Sequence, residues 1–267
     1  MTNVTGTQIQ RKLGPYIDTF LASKLLAELD GTMGDKETNA RVRRSLQKCV
    51  AKIEKNQLKD GSWNVGGGWA PILGTSMASR SLFIAQGKGV AVSAMAMARV
   101  DTFTTTDGTH LGTGAGGGSA MSSSAGAGVG GGVGSGAGAM TFKVTDGSAG
   151  VNLYSGAQKL EQLSRTDADR AKNKDEIEVI TKDLSNPKFV AGFGSIGGEE
   201  FFSYLNISDS LRRTGGTEWE KWNTQMKAKI LGLQNADGTW SGQHCITGRV
   251  AVTSAAILLL IADRDVK

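Results

Sequence analysis

The pattern Q-x-x-x-G-x-W occurs twice, as Gln57-Leu58-Lys59-Asp60-Gly61-Ser62-Trp63 and as Gln234-Asn235-Ala236-Asp237-Gly238-Thr239-Trp240. Each copy follows a charged segment of helical character and precedes an apolar or small-residue one. A glycine that adopts positive φ ends a helix by satisfying its last carbonyls, a role that suits Gly61 and Gly238. The Gln side chain satisfies backbone groups at a neighbouring helix end, and the Trp supplies a large flat surface to cover the turn. The copies also agree downstream, in TSMASRSLFI and TSAAILLLI, so a duplicated unit is the simplest explanation. On this reading Gln57, Gly61, Trp63, Gln234, Gly238 and Trp240 fasten helices together and carry no chemistry.

Weaker breaks extend the pattern. Asp-Gly followed by Ser or Thr recurs at 60–62, 107–109, 146–148 and 237–239, with Phe193-Gly194-Ser195 as a degenerate copy. If the low-complexity stretch 111–140 is an insertion, the breaks fall roughly 43 to 48 residues apart, the period of stacked helix pairs. Period-two alternation is almost absent, which predicts an all-α fold. Helices are expected at approximately 7–29, 37–57, 71–87, 89–103, 149–164, 166–184, 198–213, 217–234 and 247–263. Segments that end at a break are charged, as in ETNARVRRSLQKCVAKIEKNQ, and those that follow one are apolar or small, as in GRVAVTSAAILLLIA. A helix apolar nearly all round must be enclosed by protein, whereas a charged helix faces solvent on one side. Inner and outer helices are therefore expected to alternate within one domain spanning 1–267.

With these motifs the chain resembles the terpenoid cyclase and protein prenyltransferase superfamily, whose α/α toroids carry the same repeat as the QW motif. The stretch FVAGFGSIGGEEFFSYLNISDSL, followed by EWEKWN, QNADGTW and HCITGR, is similar to the C-terminal half of bacterial squalene-cyclase-like proteins. The resemblance implies an α/α toroid, here a partial double ring of about nine helices that carries a long glycine-rich insertion.

Cyclase chemistry does not follow from the fold. Squalene-hopene cyclases protonate their substrate with a D-x-D-D motif, and the nearest string here is Asp167-Ala168-Asp169-Arg170, which lacks the last Asp. It lies on a charged helix, where solvent defeats the tuning that a strong acid needs. The zinc of protein prenyltransferases is held by Asp, Cys and His, which brings Asp237, His244 and Cys245 forward. Adjacent residues seldom ligate one ion with good tetrahedral geometry, so the expectation is no metal and no cofactor.

The better candidates are Glu199, Glu200 and Tyr204, which follow Gly197-Gly198 at the start of an expected inner helix. Paired carboxylates in a first turn are favoured by the helix dipole, and that alone can account for them. The functional alternative is that they face a ring cavity together with Arg80 and Arg249, with His244 as a further ligand-binding candidate, and grip a polar headgroup. A carboxylate pair also keeps a carbohydrate-active toroid in view.

The segment 111–140 holds about a third of the 38 glycines and no charge, which marks a low-complexity insertion. It matches G-x-G-x-x-G in places, but with no strand before it and no helix N-terminus immediately after it the dinucleotide reading fails. Its uncharged surface suits burial between subunits. A homo-oligomer or polymer built through this loop is the leading functional expectation, and an isoprenoid or other apolar ligand in the ring is the alternative.

Bulk properties exclude other classes. The net charge of +5 is dispersed among acidic residues with no basic run, which argues against nucleic acid. Two cysteines make no disulfide framework, and the longest apolar run, AVTSAAILLLIA, is too short to span a bilayer. No secretory signal is visible, so a cytoplasmic location is the default expectation, or an extracellular one after export by another route.

Overall fold

A computed structural model describes residues 7–63, 71–107, 149–192 and 194–264, and every regular element within them is helical. The nine expected segments become twelve helices among these residues, for local reasons. The first segment divides into α1 (Gln8–Leu13) and α2 (Ile17–Leu29), because Gly14 takes φ 102° and Pro15 offers no N–H to a continuing ladder. Next come α3 (Lys36–Lys55), started by the Asp35 carboxylate accepting from the Thr38 N–H, and α4 (Pro71–Gly87). The fifth helix, α5 (Ala94–Asp107), starts later than expected, since Gly89 sits at φ 73° and the Ser93 hydroxyl accepts from the Ala96 N–H.

After α6 (Ala149–Leu163), Asn173 leaves helical geometry and donates from Nδ2 to the Leu163 carbonyl at 3.3 Å. The expected 166–184 helix is thereby split into α7 (Asp167–Lys172) and α8 (Lys174–Asp183). The one-turn helix α9 (Pro187–Val190) was too short to read from periodicity; Asn186 caps it and Pro187 opens it. The series ends with α10 (Gly198–Thr214), α11 (Gly216–Gly232) and α12 (Arg249–Leu260).

The helices α4, α6 and α10 are extensively buried, whereas α2, α3, α11 and α12 bury one stripe each; the enclosed inner helix expected at 247–263 is thus half exposed as α12. In sequence order α2 packs on α4, α4 on α6, α6 on α10, and α10 on α12. Twelve of the seventeen residues of α10 are buried. By contrast α3 buries Val42, Leu46, Val50 and Ile53 against α2 and α4, and α11 buries Trp222, Met226 and Ile230 against α10 and α12. Small polar residues let the enclosed helices approach closely: Thr75, Ser76, Ser79 and Ser81 of α4 and Ser203, Ser208 and Ser210 of α10 are all buried.

The two QW copies superpose bond for bond. The Trp63 Nε1–H donates to the Ile53 carbonyl and the Trp240 Nε1–H to the Ile230 carbonyl, both at 2.7 Å. The Trp63 N–H reaches the Thr75 hydroxyl at 3.4 Å and the Trp240 N–H the Thr253 hydroxyl at 3.0 Å. Gln57 Nε2 donates to Gly61 O at 3.0 Å, and Gln234 Nε2 to Gly238 O at 2.9 Å. Asp60 and Asp237 each accept the backbone N–H two residues on. Each Trp thus ties the charged helix before the turn to the apolar helix after it, as the duplicated motif requires.

The copies differ in what they meet outside. Gln57 also donates to the Ala96 carbonyl of α5 at 2.9 Å and accepts from the Arg99 guanidinium at 2.6 Å. At Gly61, φ 93°, a Cβ would fall 2.2 Å from the Arg99 carbonyl, whereas at Gly238, φ 80°, its nearest contact is Gln234 Nε2 at 4.0 Å. Alanine at either position incurs the left-handed backbone penalty of roughly 1–2 kcal/mol. Gly61→Ala must also push α5 away, so it is expected to lose clearly more stability than Gly238→Ala in paired urea denaturations. Equal losses would mean that the Gly61 turn and α5 are not in contact.

No helix among the described residues is long and apolar enough to cross a membrane. The insertion at 111–140 and the breaks at 107–109 and 146–148 lie outside the described residues, wholly or in all but Asp107.

Candidate functional site

An open groove with a volume of about 740 Å³ runs between α2 and α12, within the roughly 300–1,000 Å³ typical of small-molecule sites. Its walls follow from helix periodicity. Leu21 and Leu25 of α2, at i and i+4, face it from one side, and Val250, Ala251 and Leu258 of α12 from the other. Leu25 is 55% exposed and Val250 84%, so the rim carries apolar surface that no other described residue covers. The floor comes from the enclosed helices: Met77 and Arg80 of α4, and Phe202 and Asn206 of α10.

Charge is concentrated at this floor. Arg80 is 7% exposed, and its Nη2 forms an ion pair with Asp209 of α10. Lys24 of α2, also lining the groove, reaches the same Asp209 oxygen at 3.5 Å. The Nε and Nη1 of Arg80 are buried and have no hydrogen-bond partner among the described residues. A guanidinium with two unmet donors beside an apolar groove carries a desolvation cost that an acceptor from a ligand would relieve.

The local electrostatics are dominated by cations. Burial and then the field of Arg80 lower the Lys24 ammonium below its usual range, against the pull of Asp209 and Glu28. Burial and then Arg80 push the Arg213 guanidinium down to about 10. Burial alone would raise the Asp209 carboxyl, but Arg80, Lys24, Arg212 and Arg213 together hold it below its usual value. Asp209 thus lies among four cations, with Glu28 beside Lys24 and the buried Glu161 beside Arg213 as the other nearby acids.

The residues singled out in the sequence fall into two places. Arg80 lines the groove floor, and Arg249 lines its rim while pairing with Asp237 of the second QW turn. Glu199, Glu200 and Tyr204 do not line it; all three are fully buried near the N-terminus of α10. Tyr204 O–H donates to the Val190 carbonyl, and its ring meets Trp222 edge-on at 6.1 Å. Glu200 accepts from the Gly197 N–H at 2.9 Å, closing a helix cap, and from the Tyr154 hydroxyl at 3.2 Å. His244 lies beside it, with Nε2 at 2.7 Å from the Ser195 carbonyl and 3.7 Å from Glu200. The expected single cluster of Glu199, Glu200, Tyr204, Arg80 and Arg249 is thus two clusters on different sides of α10.

Sequence reading missed Lys24, Asp209 and the exposed leucines of α2. Lys24 does carry a signal, as one cation within the apolar run FLASKLLAEL. Asp209 carries none, because nothing in ISDSLRR distinguishes a buried acid from a solvated one. The string Asp167-Ala168-Asp169-Arg170 is surface capping: Asp169 closes a capping box with Thr166, and the exposed Asp167 pairs with Arg170.

No family model matches the chain, and no curated protein or solved structure shows significant similarity to it.

Proposed function

We propose that the chain is a non-catalytic α/α toroid of the terpenoid cyclase type that holds an apolar chain ending in an anionic head. The packing of α2 on α4, α4 on α6, α6 on α10 and α10 on α12, and the duplicated QW fasteners, support the toroid reading. The observation that carries the binding reading is Arg80, buried under an apolar groove with Nε and Nη1 unmet. The apolar chain lies between Leu21 and Leu25 on one wall and Val250 and Leu258 on the other. A carboxylate or phosphate at its end pairs with the Arg80 guanidinium once that side chain turns toward the groove, and faces Lys24. Glu28, also on the lining, sits one turn from Lys24 and lies 3.9 Å from its ammonium.

Ser254 lies on the exposed side of α12 and lines the groove, so a bulky side chain there fills the space without entering the core. Ser254→Trp is expected to weaken binding of decanoate or decyl phosphate at least tenfold by native mass spectrometry, with thermal stability within a few degrees of the parent. Unchanged binding would place the ligand elsewhere and overturn the reading.

The exposed Leu21, Leu25, Val250, Ile257 and Leu258 favour a second reading, self-association. The glycine-rich segment 111–140 is the other contact proposed for such an assembly. Deleting residues 112–139 is expected to dissolve large assemblies seen by light scattering, and a mass distribution indifferent to the deletion would exclude that role for the segment.

A further inference from the structure

The second cluster, at the start of α10, has the composition and enclosure of a metal centre. We infer that Glu199, His244 and Cys245 bind a zinc ion, with a fourth position open to solvent. One carboxylate oxygen of Glu199, one ring nitrogen of His244 and the Cys245 sulfur all lie within 4.8 Å of one another. Glu199 is fully buried, its Oε2 accepts from the Ile246 N–H at 3.2 Å, and its Oε1 has no hydrogen-bond partner among the described residues. A buried carboxylate oxygen with nothing to accept is costly, and a cation at that point removes the cost.

The backbone is arranged to bring these side chains together. The loop after Trp240 folds against the head of α10 through Gly198 N–H to Ile246 O at 2.9 Å and Gln243 N–H to Ile196 O at 2.8 Å. A Cβ on Gly242 would lie 2.0 Å from the Ile246 carbonyl, so only glycine permits this closure. Cys245 takes φ 50°, the one positive φ of a non-glycine residue among those described. That turn answers the objection that neighbours on a chain seldom share an ion, because it redirects the Cys245 side chain relative to His244. Backbone strain of this kind persists where the surroundings enforce it.

The donor set and its support select the metal. The Ser195 carbonyl can only accept, so His244 Nε2 donates to it and Nδ1 is the ring nitrogen that would ligate an ion, the arrangement by which outer contacts orient metal-binding imidazoles. Thiolate with imidazole and carboxylate suits zinc, and three protein ligands leave one coordination position open. Bond lengths of about 2.0–2.3 Å set tetrahedral ligand separations near 3.3–3.8 Å, so the side chains need close by at most about 1.5 Å. His244 is partly exposed, which gives an ion a route in. Binding converts the Cys245 thiol to thiolate, with its proton released to solvent, so affinity rises with pH. Asp237 belongs to the QW turn and takes no part.

The full chain titrated with Zn²⁺, and with Co²⁺ as a coloured substitute, tests the assignment. One equivalent per chain is expected, with a thiolate-to-cobalt charge-transfer band that is lost in Cys245→Ser and kept in Cys49→Ser. Glu199→Gln keeps an acceptor for the Ile246 N–H and is expected to weaken zinc at least tenfold, while Asp237→Asn leaves it unchanged. Failure to take up stoichiometric metal, a band that survives Cys245→Ser, or full affinity in Glu199→Gln would each overturn the site. A circular dichroism spectrum matching the parent shows that each variant is folded.

Discussion

Trp63→Ala and Trp240→Ala are each expected to cost about 3–5 kcal/mol, the range for truncating a buried tryptophan. At roughly 2–4 °C per kcal/mol for a chain of this size, either change lowers Tm by about 6–20 °C. Both indoles are nearly enclosed, at 2% and 4% exposure, and each donates to a carbonyl of the helix before its turn. Truncation removes the apolar surface and also leaves the Ile53 or Ile230 carbonyl without that partner. Trp→Phe at the same positions keeps most of the surface and loses the bond, for a smaller cost of about 1 kcal/mol. The two sites are far apart in the chain and share no partner, so their losses are expected to add. Calorimetry on both single variants and the double variant measures this, and a loss below about 1 kcal/mol at either site would contradict the fastener role.

Asp209→Asn is expected to cost about 3–5 kcal/mol, because it strips a carboxylate paired with both Arg80 and Lys24 from a buried group of cations. Arg80 and Lys24 then face one another with their charges unbalanced. Adding Arg80→Met to the variant is expected to recover part of the loss, since it removes one of the stranded cations. The pH dependence has a definite sign. Asp209 is held below its usual value near 3.8 in the folded chain, so its contribution is complete above that value. It is lost as pH falls through the lower folded value. The stability gap between parent and Asp209→Asn is therefore constant from about pH 5 to 7 and narrows below about pH 4 in urea denaturations. A gap that widens with acid would reverse the assigned shift.

What was legible in the sequence was whatever repeats or recurs with helical period. The all-helical class, the enclosed character of α4 and α10, and the geometry of both QW turns follow from spacing and composition; α12, expected to be enclosed, buries one stripe and exposes Val250, Ile257 and Leu258. Short-range chain breaks were harder: the split at Asn173 depends on a bond to Leu163, and α9 is four residues long. The groove was less legible still. Its walls are leucines and valines that in sequence look like core, because exposure of Leu25 or Val250 depends on what fails to cover them. Glu199 and Arg80 were both singled out, yet grouping them required knowing which faces of α4 and α10 they occupy. Helical phase along one segment cannot supply that, and the loop that carries His244 and Cys245 to Glu199 has no period at all.

Head-group discrimination tests the central claim most directly. Decanoate, decyl phosphate and uncharged decanol present one chain length with three ends, and each can be titrated against the protein by displacement of an apolar fluorescent probe. Both anions are expected to bind at least about tenfold more tightly than decanol, the margin of a charge-assisted bond to a buried guanidinium. Arg80→Met is expected to reduce that margin to near unity while decanol binding stays as it was. Equal affinity for all three ligands in the parent, or a margin that survives Arg80→Met, would contradict an anion site beneath the groove.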